Sequence, residues 1–145
     1  MDKLEQVIFY KLENAVRTYR QFAQKQIRDA GFTITIDQWL TIKNILENPG
    51  IKQQELAENV FKDAASITRI IELLVKAKYL KRKVHRKDRR RTELLVTELG
   101  KNVISDVSAV VVEYREAALC NVDADELILL NKAIDTIVAN CSQPA

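Results

Sequence analysis

The sequence predicts a mainly α-helical protein with one small β-ribbon, and three observations support this fold class. Along most of the chain, apolar residues recur at steps of three and four, which is typical of amphipathic helices. Residues 79–96 instead form two β-leaning runs around a wholly polar tip. The length of 145 residues suits one domain with a hydrophobic core and is too short for two independent ones. We therefore expect a single domain over residues 1–145.

The first two predicted helices have clear ends. An apolar stripe from Leu4 onward indicates a long helix that ends near Ala30-Gly31, where glycine can adopt the left-handed backbone conformation. Thr35-x-x-Gln38 has the form of a capping box and predicts the start of the second helix. Asn48-Pro49-Gly50 ends that helix, because proline cannot continue it.

Two shorter helices follow and are joined by a tight turn. The third covers Gln53–Val60, the turn lies at Phe61-Lys62, and Asp63 can cap a fourth helix from Ala64 to about Ala77. This layout is typical of a helix-turn-helix, although an ordinary helical hairpin is the alternative. The outer face of the fourth helix carries Ala65, Ser66, Thr68, Arg69 and Glu72.

The ribbon that follows favours the helix-turn-helix over the ordinary helical hairpin. Tyr79–Val84 alternates apolar and charged residues, Thr92–Val96 is a second β-leaning run, and the tip between them is His85–Arg91. A basic ribbon directly after such a helix is a wing. The sequence therefore predicts a winged helix-turn-helix over residues 35–100. Helical segments at 1–31 and 101–145 flank it, with helix starts at Thr97 and at Asp123-x-x-Glu126.

Positive charge is concentrated in one segment. Residues 76–91 contain ten basic side chains and one acidic one, Asp88, so this segment carries +9 and the rest of the chain −6, giving the net +3. Such segregation concentrates potential on one face. It favours a polyanionic partner, and a solvated charge run is the alternative.

Composition argues against an enzyme or a metal site. The three glycines, Gly31, Gly50 and Gly100, are too far apart for a phosphate-binding loop. The single histidine, His85, has no cysteine nearby, so zinc sites and nucleophile–base pairs lack the necessary residues. We expect no catalytic residues, no metal and no cofactor.

The chain also lacks signals for membrane insertion or secretion. No apolar run approaches the roughly 20 residues that span a bilayer, and no signal peptide opens the sequence. We expect a cytoplasmic protein without a membrane contact. Cys120 and Cys141 have no metal-ligand spacing and are interpreted as reduced, buried thiols, with a redox role left open.

Four short motifs occur within this order of elements. They are Ile34-Thr35-x-x-Gln38-Trp39, Glu55-Leu56-Ala57, Ser66-Ile67-Thr68-Arg69-Ile70-Ile71-x-x-Leu74, and Asp88-Arg89-Arg90 followed by Leu95-Val96-Thr97-Glu98-Leu99-Gly100. In their order and spacing the whole chain resembles the multiple-antibiotic-resistance regulator (MarR) family of bacterial winged-helix proteins. Val96 stands where leucine is usual and Lys52 where Ser or Thr commonly caps the third helix. Lys78 stands where glycine usually follows the recognition helix, and a left-handed lysine there would cost about 1 kcal/mol.

The resemblance implies a transcriptional regulator that binds double-stranded DNA as a homodimer, with repression the commoner outcome. The first, fifth and sixth predicted helices carry apolar stripes that the winged helix can cover only in part. Intertwining of these helices in a symmetric dimer would bury the rest and present two recognition helices to a pseudo-palindromic operator. A monomeric helical bundle is the alternative.

In this interpretation the fourth helix lies in the major groove. Arg69 can reach guanine O6 and N7 in a bidentate pair, and Ser66 and Thr68 can bond to bases or phosphates, with solvation of a helix surface as their alternative role. The predicted contact residues of this helix are Ala65, Ser66, Thr68 and Arg69.

The wing would enter the adjacent minor groove. By resemblance, Arg90 is the inserted side chain and Asp88 orients it through a salt bridge, and a narrow A·T-rich minor groove attracts arginine. The other basic residues of the tip are predicted to meet phosphates, with a steep dependence on salt. They are Arg86, Lys87, Arg89 and Arg91.

The resemblance also implies a small aromatic or anionic effector, bound between the dimerisation helices and the winged helix and weakening DNA binding. Tyr19, Phe32 and Trp39 are the candidates for lining that crevice, and a place in the hydrophobic core is their alternative. The oxidation-sensing branch of the family resembles this chain less, because its reactive cysteine lies in the first helix. The zinc-sensing branch also resembles this chain less, because it needs several histidines and this chain has one.

A protein-interaction module that binds an acidic partner through the same charged face is the competing function. RNA binding is a further alternative. Single-strand RNA readers usually present aromatic stacking platforms, however, and the basic segment contains only Tyr79.

Overall fold

The computed structural model describes residues 1–143 and confirms a mainly helical fold with one two-stranded antiparallel sheet. The chain divides into two compact units, residues 1–114 and the residues from Arg115 onward. The predicted boundaries at 31, 35 and 100 stay predictions, and the last two residues of the predicted domain lie outside the described part. In chain order the elements are a 3-10 turn Leu4–Gln6, α1 Ile8–Asp29, α2 Ile36–Glu47, α3 Gln53–Asn59, α4 Ala64–Lys76, β1 Leu80–Val84, β2 Thr92–Val96, α5 Glu98–Ala118 and α6 Ala124–Cys141.

The long N-terminal helix is confirmed, but it begins at Ile8 and not at Leu4. Val7 has an extended backbone (φ −78°, ψ 121°), which separates the 3-10 turn from α1. At the other end Gly31 has φ +92°, as predicted. The Phe32 amide donates to the Ile27 carbonyl (3.2 Å) and the Gly31 amide to the Arg28 carbonyl (2.9 Å). This pair of bonds satisfies carbonyls that the helix end would otherwise leave free.

The predicted capping box at the start of α2 is present. The Gln38 amide donates to Thr35 Oγ1 (3.1 Å), and the Thr35 amide donates to Gln38 Oε1 (3.0 Å). Gln24 of α1 adds a second constraint, because its Oε1 accepts from the Ile36 amide (3.0 Å) and its Nε2 donates to the Ile34 carbonyl (3.3 Å). The start of α2 is therefore fixed against α1.

The hydrophobic core of the first unit lies among α1 to α4, the start of β1 and α5 as far as Tyr114. It is built from the faces that the apolar periodicity predicted, since one stripe of each amphipathic helix faces inward. Its buried members are Ala23, Ile27, Ile34, Trp39, Ile42, Ile45, Leu56, Ala57, Val60, Ile67, Ile71, Leu74, Leu80, Ile104, Val107, Val111 and Tyr114.

Two non-glycine residues with left-handed backbone end α3 and α4. Phe61 has φ +61° in the turn between the two helices, and Lys78 has φ +67° after α4. At each, backbone bonds of the type seen at Gly31 close the helix. Lys78 therefore adopts the conformation predicted from its replacement of glycine.

The ribbon and α5 meet at Thr97, which caps α5 as predicted. Its Oγ1 accepts from the Gly100 amide (3.0 Å), while its own amide donates to the Tyr79 carbonyl (3.0 Å). Gly100 is buried here, and a Cβ at this position would lie 2.3 Å from the Tyr79 carbonyl oxygen. Only a glycine allows α5 to start this close to the beginning of β1.

The second unit contains α6, which begins with the predicted capping box. The Glu126 amide donates to Asp123 Oδ1 (2.8 Å) and the Asp123 amide to Glu126 Oε1 (3.2 Å). No side chain of α6 is buried within the single chain. The interpretation of Cys120 and Cys141 as buried is wrong: both are free thiols and both are exposed. Cys120 lies in the turn after α5, and Cys141 is the last residue of α6, in which no residue is buried.

Two features are absent from residues 1–143. None of the helices there is long and apolar enough to cross a membrane. The same residues contain no group of three or more His, Cys, Asp or Glu side chains placed to hold a metal ion.

Candidate nucleic-acid interface

The predicted recognition helix is α4, and Asp63 caps it. The Ser66 amide donates to Asp63 Oδ1 (2.7 Å), and this bond is the main reason why the pKa of the Asp63 carboxyl lies below its usual value. Ile67, Ile71 and Leu74 are buried and fix the inner face of the helix. The cap and the inner face together set which side chains point outward.

The outer face of α4 has the predicted composition. Ala65 and Arg69 are exposed, whereas Ser66 and Thr68 are half-buried. Arg69 has the length and exposure to reach a groove floor. Whether these residues contact DNA remains a prediction.

Thr68 is already engaged in two hydrogen bonds. Its hydroxyl donates to the Ala64 carbonyl (2.8 Å) and accepts from Nε2 of Gln53 (2.9 Å). Its only proton is therefore used inside the protein, and it is less able to donate to a base than the sequence suggested. Gln53, the first residue of α3, was not among the predicted site residues. A bond to a residue fifteen positions away on another helix leaves no signal in sequence spacing.

The wing is a ribbon in which β1 and β2 pair in one continuous register, from Leu80 opposite Val96 to Val84 opposite Thr92. The His85 amide closes the tip by donating to the Arg91 carbonyl (2.8 Å). Leu80 is buried, but the rest of β1 is exposed. The ribbon therefore extends beyond the core, and the predicted half-exposed alternation holds only at its base.

The tip of the wing is rich in exposed positive charge. Residues 86–90 are all exposed, and four of the five are basic. His85 orders this turn, because its Nδ1 accepts from the backbone amides of Lys87 and Asp88, each at 3.2 Å. The cations of the tip are thus held on a defined backbone.

Asp88 organises the wing differently from the prediction. Its Oδ1 accepts from the backbone amide of Arg90 (3.0 Å) and not from the guanidinium. Within residues 1–143 no salt bridge involves Asp88. An aspartate side chain in a turn readily accepts a hydrogen bond from the backbone amide two residues later in the chain. Asp88 therefore fixes the backbone from which the Arg90 side chain projects.

Arg91, for which a phosphate contact is predicted, makes a hydrogen bond within the chain, and the phosphate contact stays a prediction. Its Nη2 donates to the Gly50 carbonyl oxygen (2.7 Å), and Arg91 is half-buried, unlike residues 86–90. The side chain therefore turns inward to the Asn48-Pro49-Gly50 turn. Arg91 fixes the base of the wing tip to the turn between α2 and α3.

An ion-pair network fixes the helix-turn-helix to α1. Both carboxylate oxygens of Asp37 in α2 are used: Oδ1 pairs with Arg20 of α1, and Oδ2 pairs with Lys62 Nζ at 3.0 Å. All three side chains are partly buried. The turn that precedes α4 is therefore connected through Asp37 to the N-terminal helix.

The three aromatic residues predicted for an effector crevice lie in or at the core. Trp39 is buried, and Tyr19 and Phe32 are partly buried against the core cluster. Tyr19 packs edge-on against Tyr114, with ring centroids 5.9 Å apart at 61°. Their role in binding an effector stays a prediction.

These elements define a winged helix-turn-helix protein: α3 and α4 form the helix-turn-helix, and the ribbon after α4 is the wing. A model of the MarR family matches residues 30–91, which include the whole segment from α2 to Arg91.

Solved structures resemble the chain over nearly its full length. MarR itself is 25% identical, with a TM-score of 0.77, 97% of this chain covered and 94% of that one. The S. aureus MepR–DNA complex is 15% identical, with a TM-score of 0.81 and coverages of 95% and 99%. BpsR of Bordetella bronchiseptica, whose DNA binding is regulated by 6-hydroxynicotinic acid, is 16% identical, with a TM-score of 0.82 and coverages of 100% and 99%. Residues 30–91 therefore match the MarR family, and the fold of the chain is the one that these solved winged-helix structures share.

Proposed function

We propose that the protein is a sequence-specific transcriptional repressor that binds double-stranded DNA as a homodimer. The exposed basic tip of the wing carries this proposal. Arg86, Lys87, Arg89 and Arg90 lie within five consecutive exposed residues, directly after a recognition helix with an exposed arginine. Like charges held this close repel one another, and a polyanion relieves that repulsion.

The two DNA-contacting elements have different tasks in this proposal. The N-terminal half of α4 lies in the major groove, where Arg69 reads a guanine through O6 and N7, a contact worth about 1–3 kcal/mol of discrimination. Arg90 enters the neighbouring minor groove, which attracts arginine most where it is narrow and A·T-rich. Arg86, Lys87 and Arg89 hold phosphates and contribute affinity that falls steeply with salt.

Exposed apolar side chains support the homodimer. In the first unit Leu4 is 67% exposed and Phe9 57%, and in the second unit Ile128 is 65% and Val138 59% exposed. Large apolar faces left open in one chain are typical of an interface between copies. A pseudo-palindromic operator with half-sites one helical turn apart would then match the two-fold symmetry. Size-exclusion chromatography with light scattering tests this stoichiometry.

A small aromatic or anionic effector completes the proposal. The regulation of BpsR by 6-hydroxynicotinic acid supports such a ligand for the present protein as well. Tyr19, Phe32 and Trp39 are the proposed lining residues. Their contact with α1, α2 and the core would transmit a change in packing to the helix-turn-helix.

The function is tested by enrichment of a preferred duplex from random DNA, followed by mobility-shift titration at two salt concentrations. We expect one enriched palindromic site whose binding resists competitor DNA at the higher salt. Weak binding to every duplex that disappears with salt would contradict the proposal, and would favour instead an acidic protein as the partner of the basic face.

A further inference from the structure

The first residue of α3 is joined to the outer face of α4. Gln53 Nε2 donates to Thr68 Oγ1 at 2.9 Å, and the Thr68 proton goes to the Ala64 carbonyl at 2.8 Å. A glutamine amide has two N–H donors and one carbonyl acceptor. Within residues 1–143 the Gln53 side chain makes no other hydrogen bond, so one N–H and the carbonyl oxygen remain available.

The position of this amide matters because Thr68 is a middle residue of the recognition-helix face. Ala65 and Arg69, the exposed neighbours of Thr68 on α4, lie on the same side of the helix. The exposed Gln53 side chain is therefore held beside the residues that the proposed function places in the major groove. Ala65 has only a methyl group, which leaves room for a base edge there.

We propose that Gln53, oriented by Thr68, is a specificity-determining residue that reads an adenine in each half-site. This inference rests on the proposed function. Adenine presents an acceptor, N7, and a donor, N6, in the major groove, and a glutamine amide matches them with one N–H and its carbonyl oxygen. Those are the two groups that the bond to Thr68 leaves available. Thr68 is then a positioning residue and not itself a base reader.

The experiment uses the full-length protein and the duplex enriched by the wild type, together with duplexes in which each A·T pair of the half-site is replaced in turn. Gln53→Ala should weaken binding to the preferred duplex about tenfold and abolish discrimination at a single A·T pair, leaving the other positions unchanged. Gln54→Ala is the matched control, since Gln54 is also exposed and its side chain has no hydrogen bond in the described residues; it should leave every preference unchanged.

Two further variants separate reading from structure. Gln53→Glu replaces the donor with a second acceptor, so the preference at that pair should move from adenine toward cytosine, whose N4 donates. Thr68→Ser keeps both hydrogen bonds and should retain adenine discrimination, whereas Thr68→Val should lose it at the same pair. Thermal melting of each variant confirms that the fold is retained.

Equal losses on all duplexes for Gln53→Ala would show a contact with phosphate only and would overturn the inference. Unchanged discrimination in both Gln53 variants would also overturn it. Failure of the wild type to enrich any duplex would contradict the proposed function and, with it, the role of Gln53. It is distinguishable from the two results above, in which the wild type still enriches a duplex.

Discussion

The Arg91 guanidinium donates to the Gly50 carbonyl oxygen at 2.7 Å and so connects the wing to the turn between α2 and α3, forty-one residues earlier in the chain. The hydrogen bond is partly buried, in contrast to the exposed cations of the tip. A charge-assisted bond to a carbonyl at this position restrains the ribbon where it leaves the core. The wing thus leaves the core in a fixed direction.

Arg91→Ala should weaken operator binding through loss of this restraint and not through loss of a phosphate contact. A plot of the logarithm of the binding constant K against the logarithm of the salt concentration should therefore keep the wild-type slope. Arg89→Ala, the matched control in the exposed tip, should reduce the slope by about 0.9 for each phosphate contact removed. An equal change of slope in both variants would show that Arg91 also binds phosphate.

Asp88→Asn should bind the operator at least as tightly as the wild type. Asparagine keeps the side-chain oxygen that accepts from the Arg90 amide at 3.0 Å, and it removes a negative charge near the phosphates. Asp88→Ala, which loses the acceptor, should bind more weakly. If titration by fluorescence anisotropy finds Asp88→Asn as weak as Asp88→Ala, the charge of Asp88 is required, and a salt bridge to the Arg90 guanidinium forms on DNA.

Gly100→Ala should destabilise the protein by about 2 kcal/mol or more in urea unfolding. The added Cβ would lie 2.3 Å from the Tyr79 carbonyl oxygen and 2.8 Å from Val96 Cγ1, so backbone must move. Gly31→Ala is the control, because nothing lies within 4 Å of a Cβ added at this position. This variant should lose only about 1 kcal/mol, the cost of placing alanine at a left-handed φ. Equal losses in the two variants would contradict the close approach of α5 to β1.

Lys78→Gly should stabilise the protein by about 1 kcal/mol, because glycine adopts φ +67° without the strain of a side chain. Glu72→Gly, which places glycine within α4, should instead destabilise it by about 1 kcal/mol. Urea unfolding of both variants should show changes in the free energy of unfolding that have opposite signs. A loss of stability in Lys78→Gly would mean that the lysine side chain makes a compensating contact.

Local patterns predicted the elements well, for identifiable reasons. Thr35, Asp63 and Asp123 cap helices through residues two to three positions away, so their effect is visible in a short window of sequence. Left-handed Lys78 was predictable from the family resemblance, because glycine usually stands at this position. The extended backbone at Val7 was not predictable, because no glycine or proline marks the break before α1.

The finer organisation of the site could not be predicted, because it depends on contacts between distant segments. Arg91 looked like its neighbours in a run of cations, and only the approach of the Gly50 turn distinguishes it. The bond between Gln53 and Thr68 requires the packing of α3 on α4. The exposure of Cys141 likewise reflects that no face of α6 is buried within one chain, and Cys120 lies in the turn after α5. Apolar composition alone determines neither.

Hydroxyl-radical footprinting on the enriched duplex tests the central claim most directly, because this reagent cleaves from the minor groove. We expect the wild type to protect a minor-groove segment beside each half-site, related by two-fold symmetry. Arg90→Ala, at a concentration that saturates the duplex, should lose those segments. It should retain the protection of guanine N7 by α4 in the major groove, which methylation by dimethyl sulfate measures. Identical footprints for the two proteins, or no localised protection by the wild type, would contradict the assignment of the wing to the minor groove of DNA.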